Sequence, residues 1–333
     1  MADPDAAPAR AAPGQDGGLH VLLLGGTGTI GRATAAALVA AGHRVTALVR
    51  PGAKYAPPGC ALHPGDVADG RALADVFAGA PFDAVMSCLA SRTGAPKDAW
   101  AIDHAAHSAV LRAALAAGVG RFLLLSAICV QRPLLAFQQA KLAFEAELQA
   151  APLRWTIVRP TAFFKSLSGQ VPRVQAGKAF MVFGNGRLTA CKPISDRDLA
   201  RFLARALTDP TADHRILPIG GPGPAITPLD QAAMLGRLTV KPLRIKHVPL
   251  ALMDTIVTVL AVLGAVSPRL AEKAELARIG RYYATQSMLV WNPRTGQYDA
   301  DATPEFGMDR LEDHYAALLR GEVDDDRGAH AVW

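Results

Sequence analysis

The chain has 333 residues, half of them hydrophobic and 19% charged, with a formal net charge of +6. These proportions allow one large domain, or a domain with a smaller partner, and exclude disorder, a collagen-like rod and a disulfide-stapled miniprotein. Cys60, Cys88, Cys129 and Cys191 lie far apart without a CxxC pair, which argues against a zinc ribbon or Fe–S cluster and for reduced thiols. An aromatic content of 6% argues against a nucleic-acid stacking surface.

Residues 1–18 are Ala, Pro, Gly and Asp without an apolar h-region. They read as a loose arm, not a signal or clear transit peptide, and the chain is expected in the cytoplasm. From Leu19 apolar runs alternate with Ala-rich stretches. The pattern predicts strand Leu19–Leu24, helix Thr29–Ala41, strand Arg44–Val49, helix Asp69–Ala78, strand Phe82–Cys88 and helix Asp98–Ala117. Strand Arg121–Ser126, helix Leu134–Ala150 and strand Arg154–Val158 follow. Strict βα alternation with strands buried on both faces predicts an α/β fold, a doubly wound parallel sheet with a smaller C-terminal substrate region. The expected divisions are a dinucleotide-binding domain over 19–200, a substrate or lid region over 201–298 interleaved with the sheet, and an acidic tail over 299–333.

Beyond Pro160 the rhythm loosens, with a helix expected at Asp196–Leu207. The apolar run Val248–Val266 is interrupted by Pro249 and Asp254, which leaves about a dozen clean residues where a membrane span needs about 20. It reads as a buried or lid-like helix that roofs a slot. Lys241, Arg244, Lys246 and His247 precede it, so peripheral contact with a membrane stays open. The tail carries a net charge of about −7 and the remaining chain about +13. A basic body suits an anionic partner such as a phosphorylated cofactor, a carboxylate or an anionic membrane, although solvated surface charge reads the same.

The strongest local signal is Gly25-Gly26-Thr27-Gly28-Thr29-Ile30-Gly31, directly after the first strand and opening the first helix. Gly25, Gly28 and Gly31 permit a tight turn, close approach of backbone to a pyrophosphate, and close packing of helix on strand. Thr27, Thr29 and Ile30 complete the cradle at the helix N-terminus. The second strand runs into Arg50 where an NAD site places an acid, so NADPH is expected, with Lys54 adding charge. Fold position alone brings Asp66 to the adenine edge and Cys88, Leu89, Ala90 and Ser91 past the adenosine ribose.

Ser126 ends the fifth strand, and Lys141 follows fifteen residues on, inside a helix. The spacing resembles the Ser…YxxxK arrangement of short-chain dehydrogenases/reductases, in which Lys grips the nicotinamide ribose. The Tyr position here is Phe137, so carbonyl reduction by that route has no proton donor. Solvated-lysine and strand-end hydrogen-bond roles remain open for Lys141 and Ser126.

The stretches CLASRTGAPKDAWAIDHAA (88–106), FLLLSAICVQRPLLAFQQAKLAFEAEL (122–148), RPTAFFKSLSGQV (159–171) and NGRLTACKPISDRDLA (185–200) resemble the 3,8-divinyl (proto)chlorophyllide a 8-vinyl reductases. These are atypical, NmrA-like members of the same superfamily. The resemblance implies NADPH-dependent reduction of a C8 vinyl group to ethyl in chlorophyll or bacteriochlorophyll synthesis, with divinyl chlorophyllide or protochlorophyllide as substrate. A vinyl group has no oxygen to polarise, which accounts for the missing Tyr. Lys141, Ser126, Cys129 and water are all candidate acids. Pro160 and Phe163 would pass the nicotinamide, and Phe163, Phe164, Lys165, Arg92 and Trp100 would line an apolar slot with a few cations. Core packing is the other reading of the aromatics. Another ene reductase of the isoflavone-reductase type, or a non-catalytic NmrA-type NADP sensor, would share the cofactor domain.

Overall fold

The computed structural model describes residues 18–53, 57–239 and 242–323. The expected arm (save Gly18), Lys54, Lys241 and the end of the acidic tail lie outside the described residues. Seven parallel strands form the central sheet: β1 (His20–Leu24), β2 (Arg44–Val49), β3 (Ala61–Pro64), β4 (Ala84–Ser87), β5 (Arg121–Leu125), β6 (Arg154–Pro160) and, after the short strand β7 (Phe180–Phe183), β8 (Arg215–Ile219). Their order is β3-β2-β1-β4-β5-β6-β8. The strand order turns back between β1 and β4, and a crevice at the carboxyl ends of such strands is where doubly wound sheets take ligands. Leu22, Leu23, Val85, Phe122 and Ile157 are fully buried because helices cover both faces, and this explains why the strands read as unbroken apolar runs.

Helices α1 (Thr29–Ala40), α2 (Gly70–Gly79), α3 (Pro96–Ala99), α4 (His107–Ala116) and α5 (Ala136–Ala150) connect the first six strands. Asp69 caps α2, accepting from the Arg71 amide at 2.9 Å, which satisfies one of the helix's free donors. The single helix expected at Asp98–Ala117 is interrupted. Trp100–Ala106 is wound as a π-helix between α3 and α4, a distortion frequent at functional sites.

After β6 come α6 (Phe164–Leu167), α7 (Val171–Gln175), α8 (Asp196–Thr208) and α9 (Pro228–Leu238). Helix α8 packs on α1, and β8 completes the sheet, so the nucleotide-binding body runs past residue 200. Strand β9 (Ile245–Val248) pairs with β7. The hairpin α10 (Leu250–Gly264) and α11 (Pro268–Thr285) follows, then β10 (Val290–Asn292), β11 (Gln297–Asp299) and α12 (Leu311–Arg320). The hairpin closes tightly at Gly264, where a Cβ would meet Ala271 Cα at 2.9 Å.

Two expectations are corrected here. Residues 299–320 are not a loose acidic tail. Tyr315 is fully buried, and Glu305, Asp309 and Glu312 pair with Lys192, Arg197 and Arg237. Three of the tail's carboxylates are thus paired with the basic body. Nor is α10 a roof: only its Met253 is buried, because α11 lies between α10 and the sheet region around Phe137. Pro249 caps α10, and Asp254 is carried within it by an ion pair to Arg281. Among the described residues, no helix is long and apolar enough to cross a membrane.

Candidate active site

The glycine turn is fixed by close contacts. Gly25 has φ +72°, and a Cβ there would stand 2.6 Å from the Cys88 carbonyl oxygen. A Cβ on Gly31 would stand 2.0 Å from the Gly25 carbonyl oxygen, whereas one on Gly28 would meet only that oxygen, at 3.4 Å. Gly25 and Gly31 are therefore packing requirements, while Gly28 keeps open the approach to the helix. Helix α1 has no side-chain cap and no acid in its first turn, so its N-terminal amides remain available to an anion such as a dinucleotide pyrophosphate. The residues present fit such a cofactor.

Lys165, expected to line the substrate slot, lies beside the N-terminus of α1. Its Nζ donates to Thr29 Oγ1 at 2.5 Å, across from the glycine turn. Asp196 stands in the same group, its carboxyl raised by burial against the opposing pull of Lys165 and Arg32. Phe164 is likewise moved out of the proposed slot, since it is 5% exposed and packs beside His314. Phe163 bridges to Ile194 and packs at the edge of the core, next to buried Pro160.

Arg50 is exposed at the exit of β2. Asp66 Oδ1 accepts from the Ala68 amide at 2.9 Å, bracing the turn into α2. The Cys88 thiol, pushed up to about 12 by burial, sits 3.6 Å from Thr34 Oγ1 and is inert. Leu89 donates its amide to Ser87 Oγ at 3.3 Å, and Ala90 continues the exposed edge of the crevice. Ser91 does not offer its hydroxyl to a ribose: it donates to Asp103 Oδ2 at 2.6 Å.

That carboxylate organises the centre. Asp103 is 1% exposed in the π-helical turn. It also accepts from the Ser91 amide at 3.1 Å and from Lys141 Nζ at 2.9 Å. Burial alone would raise its carboxyl, but Lys141 and Ser91 outweigh it and hold the group below the ordinary range. Asp103 thereby fixes the ammonium of Lys141 on α5. His107 is pushed down to about 4, first by burial and then by Lys141, so it is a neutral ring. It meets Ser87 Oγ at 2.8 Å and the Ile102 carbonyl at 2.8 Å.

Ser126, expected at the reacting centre, is engaged within the protein. Its Oγ donates to Glu145 Oε1 at 2.5 Å, and Glu145, 1% exposed, pairs with Arg159. The hydroxyl is thereby part of a buried ion-pair network. Phe137 presents an apolar ring in contact range of Gly94 and Ile279. Arg92 and Trp100 are exposed, at the mouth beyond β4. Asp103 and Glu145 escaped the sequence reading. The signal for both was a charge on a helix face otherwise made of buried apolar residues.

Comparison with known proteins gives the cofactor class and the family. Residues 25–210 match the NAD(P)H-binding family. The chain is 46% identical over 319 residues to the divinyl chlorophyllide a 8-vinyl-reductase of Oryza sativa subsp. indica, covering 90% of this chain and 78% of that one. It is 44% identical over 334 residues to the protein of that name from Zea mays, covering 95% and 82%. In fold it is similar to the Escherichia coli NADPH-dependent quinone oxidoreductase complexed with NADPH. That TM-score is 0.65 at 18% identity, over 90% of this chain and 99% of that one. The chain belongs to the divinyl chlorophyllide a 8-vinyl-reductase family, on an NAD(P)-binding, doubly wound α/β fold.

Proposed function

We propose that the protein reduces the C8 vinyl group of a divinyl chlorophyllide-type pigment to ethyl, with NADPH as reductant. The identity to the plant vinyl-reductases over nine-tenths of the chain carries this reading, and Phe137 gives it a chemical reason. When bound, NADPH supplies a hydride. The glycine turn and α1 would hold its pyrophosphate, with Thr29 and Lys165 at that end. Arg50 would meet the 2′-phosphate, and Lys141, held by Asp103, the nicotinamide ribose. Hydride addition to the terminal vinyl carbon leaves negative charge delocalised over the macrocycle, and the carbon next to the ring then takes a proton. No oxygen develops charge, so an apolar ring at position 137 costs the reaction nothing.

Purified protein with NADPH and divinyl chlorophyllide should shift the Soret band to the blue. Activity with NADH should be about ten- to hundredfold lower, the value of one charge-assisted phosphate contact. With NADPH deuterated on the transferred face, one deuterium should enter the terminal methyl. In D₂O with ordinary NADPH it should enter the methylene. The reverse pattern would sink the order of transfer, and NADPH binding without any pigment change would favour a sensor.

We further infer that α10 rests on an anionic membrane surface, where an amphiphilic pigment is at hand. Leu252, Ile256, Val259, Val262, Leu263 and Val266 are 45 to 86% exposed. Exposed Arg244, Lys246, Arg269 and Lys273 flank them, which suits an interfacial helix with a basic rim. The protein should sediment with phosphatidylglycerol-containing vesicles and much less with neutral ones. Val262→Glu with Val266→Glu should lower that partition about tenfold or more, since each large apolar group contributes about 1.5–3 kcal/mol when buried. Equal binding of the double variant would remove α10 from the contact.

A further inference from the structure

We propose that Tyr283, on α11, is the proton donor of the vinyl reduction, bringing from the C-terminal hairpin the phenol that position 137 lacks. This rests on the reading of the function above. Helix α11 lies over the carboxyl end of β5. A Cβ at Gly94 would meet Ile279 Cδ1 at 3.0 Å and Phe137 Cδ1 at 3.5 Å, so Ile279 and Phe137 converge on one point. Tyr283 is one helical turn beyond Ile279, and Lys141 one turn beyond Phe137, each on the same face as its partner.

Cys129, in the short helix Ile128–Gln131 that leaves β5, belongs to the same buried cluster as Phe137 and Ile279. Tyr283 Oη is 4.0 Å from Cys129 Sγ, and the positive charge of Lys141 acts on the same thiol. The other phenols near the site are engaged. Tyr282 Oη donates to the Cys129 carbonyl at 2.9 Å and Tyr298 Oη to Gln286 Oε1 at 3.0 Å. Sulfur at 4.0 Å is a weak partner for the Tyr283 hydroxyl, which leaves its hydrogen available to a substrate atom. Burial first, and then Cys129, raise this phenol well above its ordinary value, so it is protonated whenever substrate arrives. The residue as a whole is 37% exposed, so solvent lies beside the ring even though the hydroxyl faces Cys129.

The step balances. Hydride from NADPH forms the C–H bond at the terminal vinyl carbon, and the π pair moves to the carbon beside the ring. That pair takes the Tyr283 hydroxyl proton, giving ethyl and a phenolate beside the Cys129 thiol. Water then reprotonates the phenolate, and NADPH has become NADP⁺.

The test compares Tyr283→Phe with wild type. Turnover should fall about 10²-fold, the low end for loss of a general acid, with NADPH affinity and melting temperature unchanged. Proton transfer should then limit the rate. The D₂O effect should increase and the effect of deuterated NADPH should shrink toward one. A merely structural role would slow both steps and leave the ratio of the two effects unchanged. Turnover within twofold of wild type, or an unchanged ratio, overturns the proposal. A wild-type protein that leaves the pigment unreduced would instead overturn the function on which it rests.

Discussion

Lys141→Ala is expected to cost both turnover and stability, and the two losses can be separated. The wild-type pair is almost wholly enclosed, with Lys141 12% and Asp103 0% exposed at the side chain. Removing the lysine leaves a buried carboxylate held only by Ser91. Such orphaned charges destabilise by about 3–5 kcal/mol, and turnover should fall about 10²-fold if the nicotinamide is misplaced as well. Replacing both partners, as Lys141→Met with Asp103→Leu, should recover most of the stability and none of the turnover. Recovery of both would reduce the pair to packing.

The pair also has a pH signature. Asp103 is held below the ordinary carboxylate range by Lys141 and Ser91 against burial. Its contribution is therefore complete above the unfolded pKa, about 3.9, and is lost as pH falls through the folded value. In Lys141→Ala burial prevails and raises the carboxyl, so the deficit relative to wild type should narrow as the solution is acidified. Melting temperatures of the two proteins between neutral and mildly acidic pH measure this directly. A constant gap would mean that Asp103 does not carry its charge in the variant.

The parts of this centre differed in how far they could be read before the fold was known. Strands β1, β2 and β5 are runs that no amphipathic helix would show, and the glycine turn sits directly between β1 and α1. Both features are local. Lys141 followed from its spacing to Ser126, yet the partner that fixes it, Asp103, is 38 residues away, and Tyr283 is 154 residues from Cys129. Only the crossing of π-turn, α5 and α11 at one end of the sheet brings them together. Ser126 was ambiguous because a strand-end hydroxyl reads the same whether it faces a ligand or, as here, a buried glutamate. Helix α10 misled for the opposite reason. Its apolar length suggested enclosure, but α11 covers one side and leaves the other outward.

Gly31→Ala is expected to damage fold and cofactor binding together, and Gly28→Ala cofactor binding alone. A Cβ at Gly31 would stand 2.0 Å from the Gly25 carbonyl oxygen, 2.7 Å from its carbon and 2.9 Å from Gly26 Cα. All three are backbone atoms, so no side chain can rotate away. Gly25 cannot retreat either, because it is pressed against the Cys88 carbonyl at the end of β4. The alanine must lift α1 from the sheet, and α1 is what α8 packs on. Overpacking usually costs about 1–3 kcal/mol, and a backbone-to-backbone clash belongs at or above the upper end. The same lift moves the helix amides from the pyrophosphate, so NADPH affinity should fall about a hundredfold or more. Gly28 has φ −75°, which alanine adopts without strain, and its Cβ would have a single neighbour at 3.4 Å. Gly28→Ala should therefore melt as wild type does while binding NADPH weakly, since the methyl fills the approach to the phosphates. Thermal unfolding and NADPH titration of the two variants decide the matter. Wild-type stability in Gly31→Ala would mean that the turn is not wedged between β4 and α1, and wild-type affinity in Gly28→Ala would move the pyrophosphate away from this helix end.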